Sequence, residues 1–330
     1  MEKITIPGVA NAIELGSLVT IQMPSNELPL TIHAAPGVNC MEWAAEYNDE
    51  LNQLLISFGA LLLRGFKIEG APVFNQLFSL ICGAPMEYKN RTSPREQVHD
   101  NIYTSTSHPN DQYIQMHTEN SYSQVYNRII AFYCLVPAAQ GGETPIADER
   151  KLLKRLQPET VRKFRERKIK YLRNSIPGIG LDWKTIYQTD DKEVVSKHLN
   201  AVGAEYIWAD DDHLRVKWIL PAFQKHPLTG EEMWFNHMYF GLKSHYDPIL
   251  LEYFQEDDLP FATYYGDGSE IEASVVQEFK DFYNENSIVF KWETNDFLLL
   301  DNMMFSHGRK PFKGNRTILT AMAQPFTISA

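Results

Sequence analysis

Residues 114–123 read IQMHTENSYS, and two of them, His117 and Glu119, are types that hold metals. In an extended chain, residues i and i+2 point to the same face. The pair is therefore either two arms of a metal clamp or a polar pair on an ordinary strand. The H-x-[DE] pattern is weak alone, because ten histidines produce about one such match by chance at average acidic content. A second match, His245-Tyr246-Asp247, is followed by Pro248 in GLKSHYDPIL and reads as a surface turn. A distant histidine changes the balance. His307 ends the apolar run NDFLLLDNMMFSH, and Arg316 follows nine residues later. Two histidines and one carboxylate, two of them close and one far away in the chain, match the facial triad of non-haem Fe(II) oxygenases. Three protein ligands on one face leave three positions open, enough for a chelating α-keto acid and O2. Imidazole suits the metal and the carboxylate offsets part of its charge. A nearby buried arginine can grip the far carboxylate of the keto acid with two parallel hydrogen bonds.

These residues need elements to position them. MEWAAEYNDELNQLLIS (41–57) has apolar positions at helical spacing and stops at Gly59. ALLLRGF reads as a short buried strand, and APVFNQLFSLICG as a helix closed by Gly83. Residues 85–113 are polar and turn-rich, which predicts a long loop before the His117 strand. NRIIAFYCLVPA reads as a strand, and 148–170 as two helices parted near Pro158. LRVKWILPAFQKHPLTGEEMWFNHM predicts two strands joined at Thr229-Gly230. A helix at 273–285 precedes SIVFKWETNDFLLLDNMMF, read as two strands around Thr294-Asn295-Asp296. MMFSHG and TILTAMAQPF form the last pair of strands, linked by RKPFKGNR. Early helices and late hairpins predict an α+β, mainly β chain: a β-sandwich or jelly roll with helices packed outside. No repeat or low-complexity linker divides the 330 residues, so one domain over 1–330 is expected.

Composition narrows the partners. The chain is 44% hydrophobic and carries a formal charge of −11, which makes nucleic acid a poor partner. Cys40, Cys82 and Cys134 have no C-x-x-C spacing and cannot build a disulfide framework. Neither a signal-peptide apolar region nor a membrane-length run occurs, so a cytoplasmic protein without membrane contact is expected.

The run HTENSYS…NRIIAFYCLVPAAQGGETPIADER, joined to DNMMFSHGRKPFKGNRTILTAM, resembles the taurine dioxygenase-like (TauD/TfdA) superfamily. Within it the chain is most similar to the clavaminate-synthase-like and syringomycin-hydroxylase-like branch, with FNHM, HPLTGE and YYGDG adding to the likeness. The resemblance spans roughly residues 50–325. It implies a double-stranded β-helix that uses Fe(II), 2-oxoglutarate and O2. Position by position, it implies that His117, Glu119 and His307 ligate the iron. Thr144 in GGETPIAD then contacts 2-oxoglutarate, and Arg316 pairs with its distal carboxylate. Arg91 and Arg95 are expected to line a lid over the substrate, or else to be loop-surface charges. Asn120 and Ser121 would orient Glu119 or serve local hydrogen bonding.

Two departures refine what the resemblance implies. Glu119 stands where aspartate is commoner, and its intact carboxylate argues against halogenation, since related halogenases have a small residue there. The expected outcome is hydroxylation of an unactivated C–H bond; desaturation or ring closure are the variants. Relatives acting on free amino acids often carry a second arginine four residues after the first, where this chain has Thr320. The expected substrate is therefore an amino acid held as a thioester on a peptidyl carrier protein, in nonribosomal peptide or other natural-product biosynthesis. The basic helices at 151–170 would dock the carrier or form a solvated face. Alternatives are an oxygenase of a free amino acid or small metabolite, or a non-catalytic metal-binding jelly roll. A metallohydrolase lacks its zinc motif.

Overall fold

A computed structural model describes residues 3–5, 12–88, 95–106, 108–176, 178–209, 213–253 and 258–328. Its organising element is Val125–Val136, twelve residues buried almost throughout. Side chains alternate between faces along a strand, and both faces here are covered. Ile129, Ala131 and Tyr133 join one apolar cluster, whereas Ile130, Phe132 and Cys134 join another. The same split separates Leu61 and Leu63 from Ala60 and Leu62, and Phe297 and Leu299 from Leu298 and Leu300. Double coverage explains why ALLLR and FLLLD are continuous apolar runs rather than alternating ones.

The strand lies inside an eight-stranded sheet. Its spatial order is Val19–Gln22, Leu30–Ala34, Ala60–Arg64, Phe297–Asp301, Val125–Val136, Thr317–Thr327, Ile102–Thr104 and Gln97–His99. Helices Cys40–Glu46, Asn48–Phe58 and Gly70–Cys82 cover the outer face, burying Trp43, Leu54, Phe74 and Phe78. The predicted first helix is broken at Tyr47, where φ −111° and ψ 26° interrupt the helical path. It ends at Gly59, whose φ of +77° suits glycine. A Cβ there would also stand 2.8 Å from the Phe305 ring.

Against the inner face lies a three-stranded sheet, in the order Ile146–Asp148, Phe305–Arg309, Ile114–His117. This pair of sheets is the expected jelly roll. Helices Glu149–Arg155, Pro158–Arg167 and Ala273–Asn286 pack beyond the small sheet, with Leu152, Phe164 and Phe279 in their shared core. A third, four-stranded sheet, Glu205–Trp208, Leu214–Leu220, Ile169–Ser175 and Phe261–Tyr265, forms a flank.

Several expectations change in detail. The 85–113 segment is not all loop: Gln97–His99 and Ile102–Thr104 extend the large sheet, because backbone pairing at a sheet edge needs little apolar sequence. The region 214–238 holds three strands, Leu214–Leu220 in the flank and a separate hairpin, Phe223–Lys225 with Glu232–Trp234, around Thr229-Gly230. Only Phe297–Asp301 is a strand in 287–301; Ile288 makes one isolated bridge to Ile146. Finally, Phe305–Arg309 and Thr317–Thr327 are not paired with each other but lie in opposite sheets.

The carboxyl of Glu149 is buried between the small sheet and the helix Ala273–Asn286, where Tyr283 donates a 3.2 Å hydrogen bond to it. Burial pushes its pKa up to about 8, against the opposing hydrogen bonds of Ser306 and Tyr283. A carboxyl raised above its unfolded value near 4.5 binds its proton more tightly in the folded state. Its contribution is complete below about pH 4.5 and is lost as pH rises toward 8. Glu149→Gln should thus be more stable than wild type at pH 8, with the advantage shrinking toward pH 5. Urea melts at the two pH values measure this, and equal pH dependence in both proteins would contradict it.

Candidate active site

The strand Ile114–His117 ends at its histidine, and Thr118–Asn120 turn away from it. Strand alternation therefore does not place Glu119, contrary to the i, i+2 expectation. A turn over residues 119–122, in which Asn120 has φ +58°, does so. His117 and His307 are directly opposite each other in antiparallel pairing, and their ring centroids are 4.4 Å apart. Gly308 permits the close approach, since a Cβ there would meet the Ile114 carbonyl oxygen at 2.7 Å. Each histidine Nε2 lies 3.9 Å from Glu119 Oε2. One donor atom from each of the three residues lies within 4.8 Å of the others, and among the described residues no second such group of three occurs. His245 instead forms a short 3-10 turn, and Asp247 is exposed.

Neighbours prepare these donors. His117 Nδ1 is 2.8 Å from the Gln115 carbonyl oxygen, to which it can only donate. Its Nε2 then keeps a lone pair for a metal. Asn302 clamps the backbone of Glu119: its Oδ1 accepts from Glu119 N at 2.7 Å and its Nδ2 donates to Glu119 O at 2.8 Å. The same Nδ2 donates to Asn127 O at 2.9 Å. Next to it, Asp301 pairs with Arg128 at 2.6 Å and accepts from His226 Nε2 at 3.0 Å. His226 Nδ1 accepts from the amides of Leu228 and Thr229, so the HPLTG turn is tied to the site.

Arg95 is no surface charge: it is buried, with Nη2 2.5 Å from Glu119 Oε2 and its guanidinium 4.4 Å from the centre of the Tyr88 ring. Burial alone would raise the Glu119 pKa, but the Arg95 guanidinium outweighs it and holds the carboxyl below its usual range. Burial keeps His117 and His307 neutral, as metal ligation requires. Arg91 lies outside the described residues. Asn120 donates to Asn127 Oδ1 at 3.1 Å and Ser121 to Thr118 O at 2.9 Å; these hydrogen bonds serve the turn.

The donors line a cavity of about 840 Å³, together with Thr144, Arg316, Phe132, Arg173, His237 and Phe261. Arg316 donates to Gly142 O at 2.9 Å and reaches Thr144 Oγ1 and Ser105 Oγ only at 3.4 Å. It forms no ion pair among the described residues, and burial with nearby Arg309 lowers its pKa to about 10. It is still charged at neutral pH and unmatched, which fits the carboxylate of an α-keto acid. Thr144 Oγ1 accepts from Trp292 Nε1 at 3.1 Å. Arg309 holds the 108–112 loop through the carbonyls of His108, Pro109 and Gln112.

Spacing and residue type do not single out Asn302, His237 or Arg173. The motifs DNMMFSHG and FNHM contain the first two, but nothing local marks their partners. Arg173 sits in YLRNS without any motif.

A jelly roll with this donor set defines a non-haem iron oxygenase that uses 2-oxoglutarate and O2. The family model described as taurine catabolism dioxygenase TauD, TfdA family matches residues 25–322, and the chain belongs to that family. It is 38% identical over 286 residues to the dapdiamide synthesis protein DdaC of Enterobacter agglomerans, covering 85% of this chain and 86% of that one. A clavaminate synthase-like protein of Arabidopsis thaliana is 27% identical over 284 residues, covering 83% and 84%. Among solved structures, PvcB of Pseudomonas aeruginosa shares the fold, with a TM-score of 0.54, 16% identity and coverage of 98% and 96%. A further PvcB structure, with a TM-score of 0.55, is described as an Fe, alpha-ketoglutarate dependent oxygenase from an isonitrile synthetic pathway.

Removing the Asn302 amide strands three buried backbone groups. Asn302→Ala should lose on the order of 2–4 kcal/mol of stability and weaken Fe(II) binding by about 10–100-fold. Urea denaturation and anaerobic Fe(II) titration measure both; unchanged metal affinity would sink the assigned role.

Proposed function

We propose that the chain oxidises an unactivated C–H bond of an amino-acid-derived substrate in a biosynthetic pathway, using His117, Glu119 and His307 as its iron ligands. The convergence of their three donor atoms within 4.8 Å on the wall of a cavity that also holds an unmatched Arg316 carries this reading. Bound iron, with 2-oxoglutarate and O2, supplies an oxidant able to remove hydrogen from such a bond. The protein's residues arrange the reactants. His117 presents Nε2 because Gln115 engages Nδ1; Asn302 and Arg95 hold Glu119; Arg316 and Thr144 receive the distal carboxylate of 2-oxoglutarate. Phe132, Phe240 and Phe261 exclude water from the cavity wall. Hydroxylation is the simplest outcome, since Glu119 occupies the position a halide would need.

The finer reading is that the substrate arrives as an acyl thioester on a carrier protein. Thr320 supports it: this residue is buried, and its hydroxyl donates to Ala131 O at 2.9 Å, so no cation for an α-carboxylate stands there. Kinship with a dapdiamide synthesis protein favours a biosynthetic substrate. The basic helices offer weaker support. Arg162 pairs with Glu159 and Glu166, Lys163 with Glu272 and Arg165 with Glu232, which neutralises much of the face. Three free, buried cysteines fit a reducing, cytoplasmic setting. Among the described residues, no helix is long and apolar enough to cross a membrane.

Anaerobic Fe(II) with 2-oxoglutarate should give a visible metal-to-ligand charge-transfer band in wild type, and none in His117→Ala or His307→Ala. A band that persists unchanged in those variants would overturn the ligand assignment. Arg316→Lys keeps the charge but loses the planar fork. It should raise the KM for 2-oxoglutarate by ~10–100-fold, the worth of one charge-assisted hydrogen bond; an unchanged KM contradicts that role. Carrier-loaded and free substrate should be compared directly, and faster turnover of the free acid rules out the tether.

A further inference from the structure

Arg173 is a cation that the oxygenase reading leaves unused. It lies on the strand Ile169–Ser175, where Tyr171, two residues earlier and on the same face, receives the amide of His237 on its hydroxyl at 3.1 Å. The side chain of Arg173 therefore points toward the cavity, and it is a cavity-lining residue. Arg173 is 94% buried, as only 6% of its surface is accessible. Its Nη2 has no hydrogen-bond partner, and no carboxylate pairs with it among the described residues. The Tyr187 hydroxyl is the polar group beside it. Three aromatic rings surround the guanidinium, with the centres of Tyr122, Trp218 and Phe261 at 5.1, 5.5 and 5.6 Å. Rings that stack on a guanidinium hold it flat and leave its edge open for a planar anion.

The charge balance of the cavity points the same way. Among the described residues four arginines line it, Arg95, Arg173, Arg309 and Arg316, against two carboxylates, Glu119 and Asp247. Fe(II) and 2-oxoglutarate cancel each other's charge, so the surplus of two positive charges persists in the loaded site. Arg95 is matched by Glu119, Arg309 by backbone carbonyls, and Arg316 by the cosubstrate; among the described residues Arg173 has only the neutral Tyr187 hydroxyl. A buried cation is costly to leave unpaired. Its neighbours are not those of Arg316, which lies among Gly142, Ser105 and Thr144.

We infer that Arg173 is the receptor for a carboxylate of the substrate, and so a specificity-determining residue. The inference rests on the oxygenase reading for which reaction the bound substrate undergoes, but not for the anion site itself. The carboxylate is either the α-carboxylate of a free amino acid or a side-chain carboxylate of a carrier-bound one.

The test uses the full chain loaded with Mn(II) and N-oxalylglycine, so that Arg316 is already engaged. Calorimetric titrations compare benzoate with benzamide, and L-glutamate with L-glutamine and L-isoglutamine. Wild type should bind benzoate at least tenfold more tightly than benzamide, and L-glutamate at least tenfold more tightly than one of its two monoamides. Arg173→Gln should lose that preference, and Arg173→Lys should recover part of it. Circular dichroism confirms that each variant is folded, and the lysine variant serves if the glutamine one is not. Retained binding by glutamine identifies the α-carboxylate as the partner; retained binding by isoglutamine identifies the side chain. No carboxylate preference in wild type, or an equal preference in Arg173→Gln, overturns the proposal. A missing charge-transfer band in wild type would instead fail the oxygenase reading, whatever the calorimetry gives.

Discussion

The antiparallel pairing that sets His117 opposite His307 is the contact on which the rest of the site depends. Backbone hydrogen bonding fixes this register, so the distance between two imidazoles far apart in sequence is decided by main-chain geometry rather than by flexible side chains. Gly308 lets the strands close, and the helices behind the small sheet press it against the large one. A site held on paired strands is more rigid than one on loops. Glu119, by contrast, stands just beyond its strand in a turn and needs its own fastening, which Asn302 and Arg95 provide.

Around that contact, buried charge is arranged in pairs. Arg128 with Asp301 and Arg64 with Asp296 are ion pairs at 2.6 Å whose carboxylates are fully buried. Such pairs add little net stability, but breaking one is expensive, so they act as registration devices more than as glue. Asp301 and Asn302 are consecutive: one carries an ion pair to the core and the other clamps the Glu119 backbone. A chain with a net charge of −11 thus builds a cavity with a positive surplus. That inversion is a local property that the overall charge conceals, and it suits an enzyme whose cosubstrate is a dianion.

Much of the chemistry was legible in residue types and order. The HTE segment, the late SHG and the arginine nine residues after it restrict the possibilities because few sites need that donor set. Continuous apolar runs marked the central strands, since burial on both faces leaves that signature, and Gly83 marked the end of the helix Gly70–Cys82. Short edge strands such as Gln97–His99 left none, because their stability comes from pairing with a neighbour. The burial of Arg95 leaves no sequence mark for a related reason. A polar, turn-rich segment looks like surface, and only packing against Tyr88 and Glu119 makes this arginine interior.

The sequence by itself determined the donor types, their order along the chain and the two-sided burial of the strands that carry the fold, because these follow from side-chain chemistry and the period of the backbone. The tertiary structure decided which strands pair, that Glu119 is delivered by a turn, that Asn302 holds it, and that Arg173 faces the cavity with no carboxylate partner among the described residues. Those are contacts between residues remote in sequence. Their energy comes from registry and desolvation in the folded chain, and no local pattern of residues encodes it.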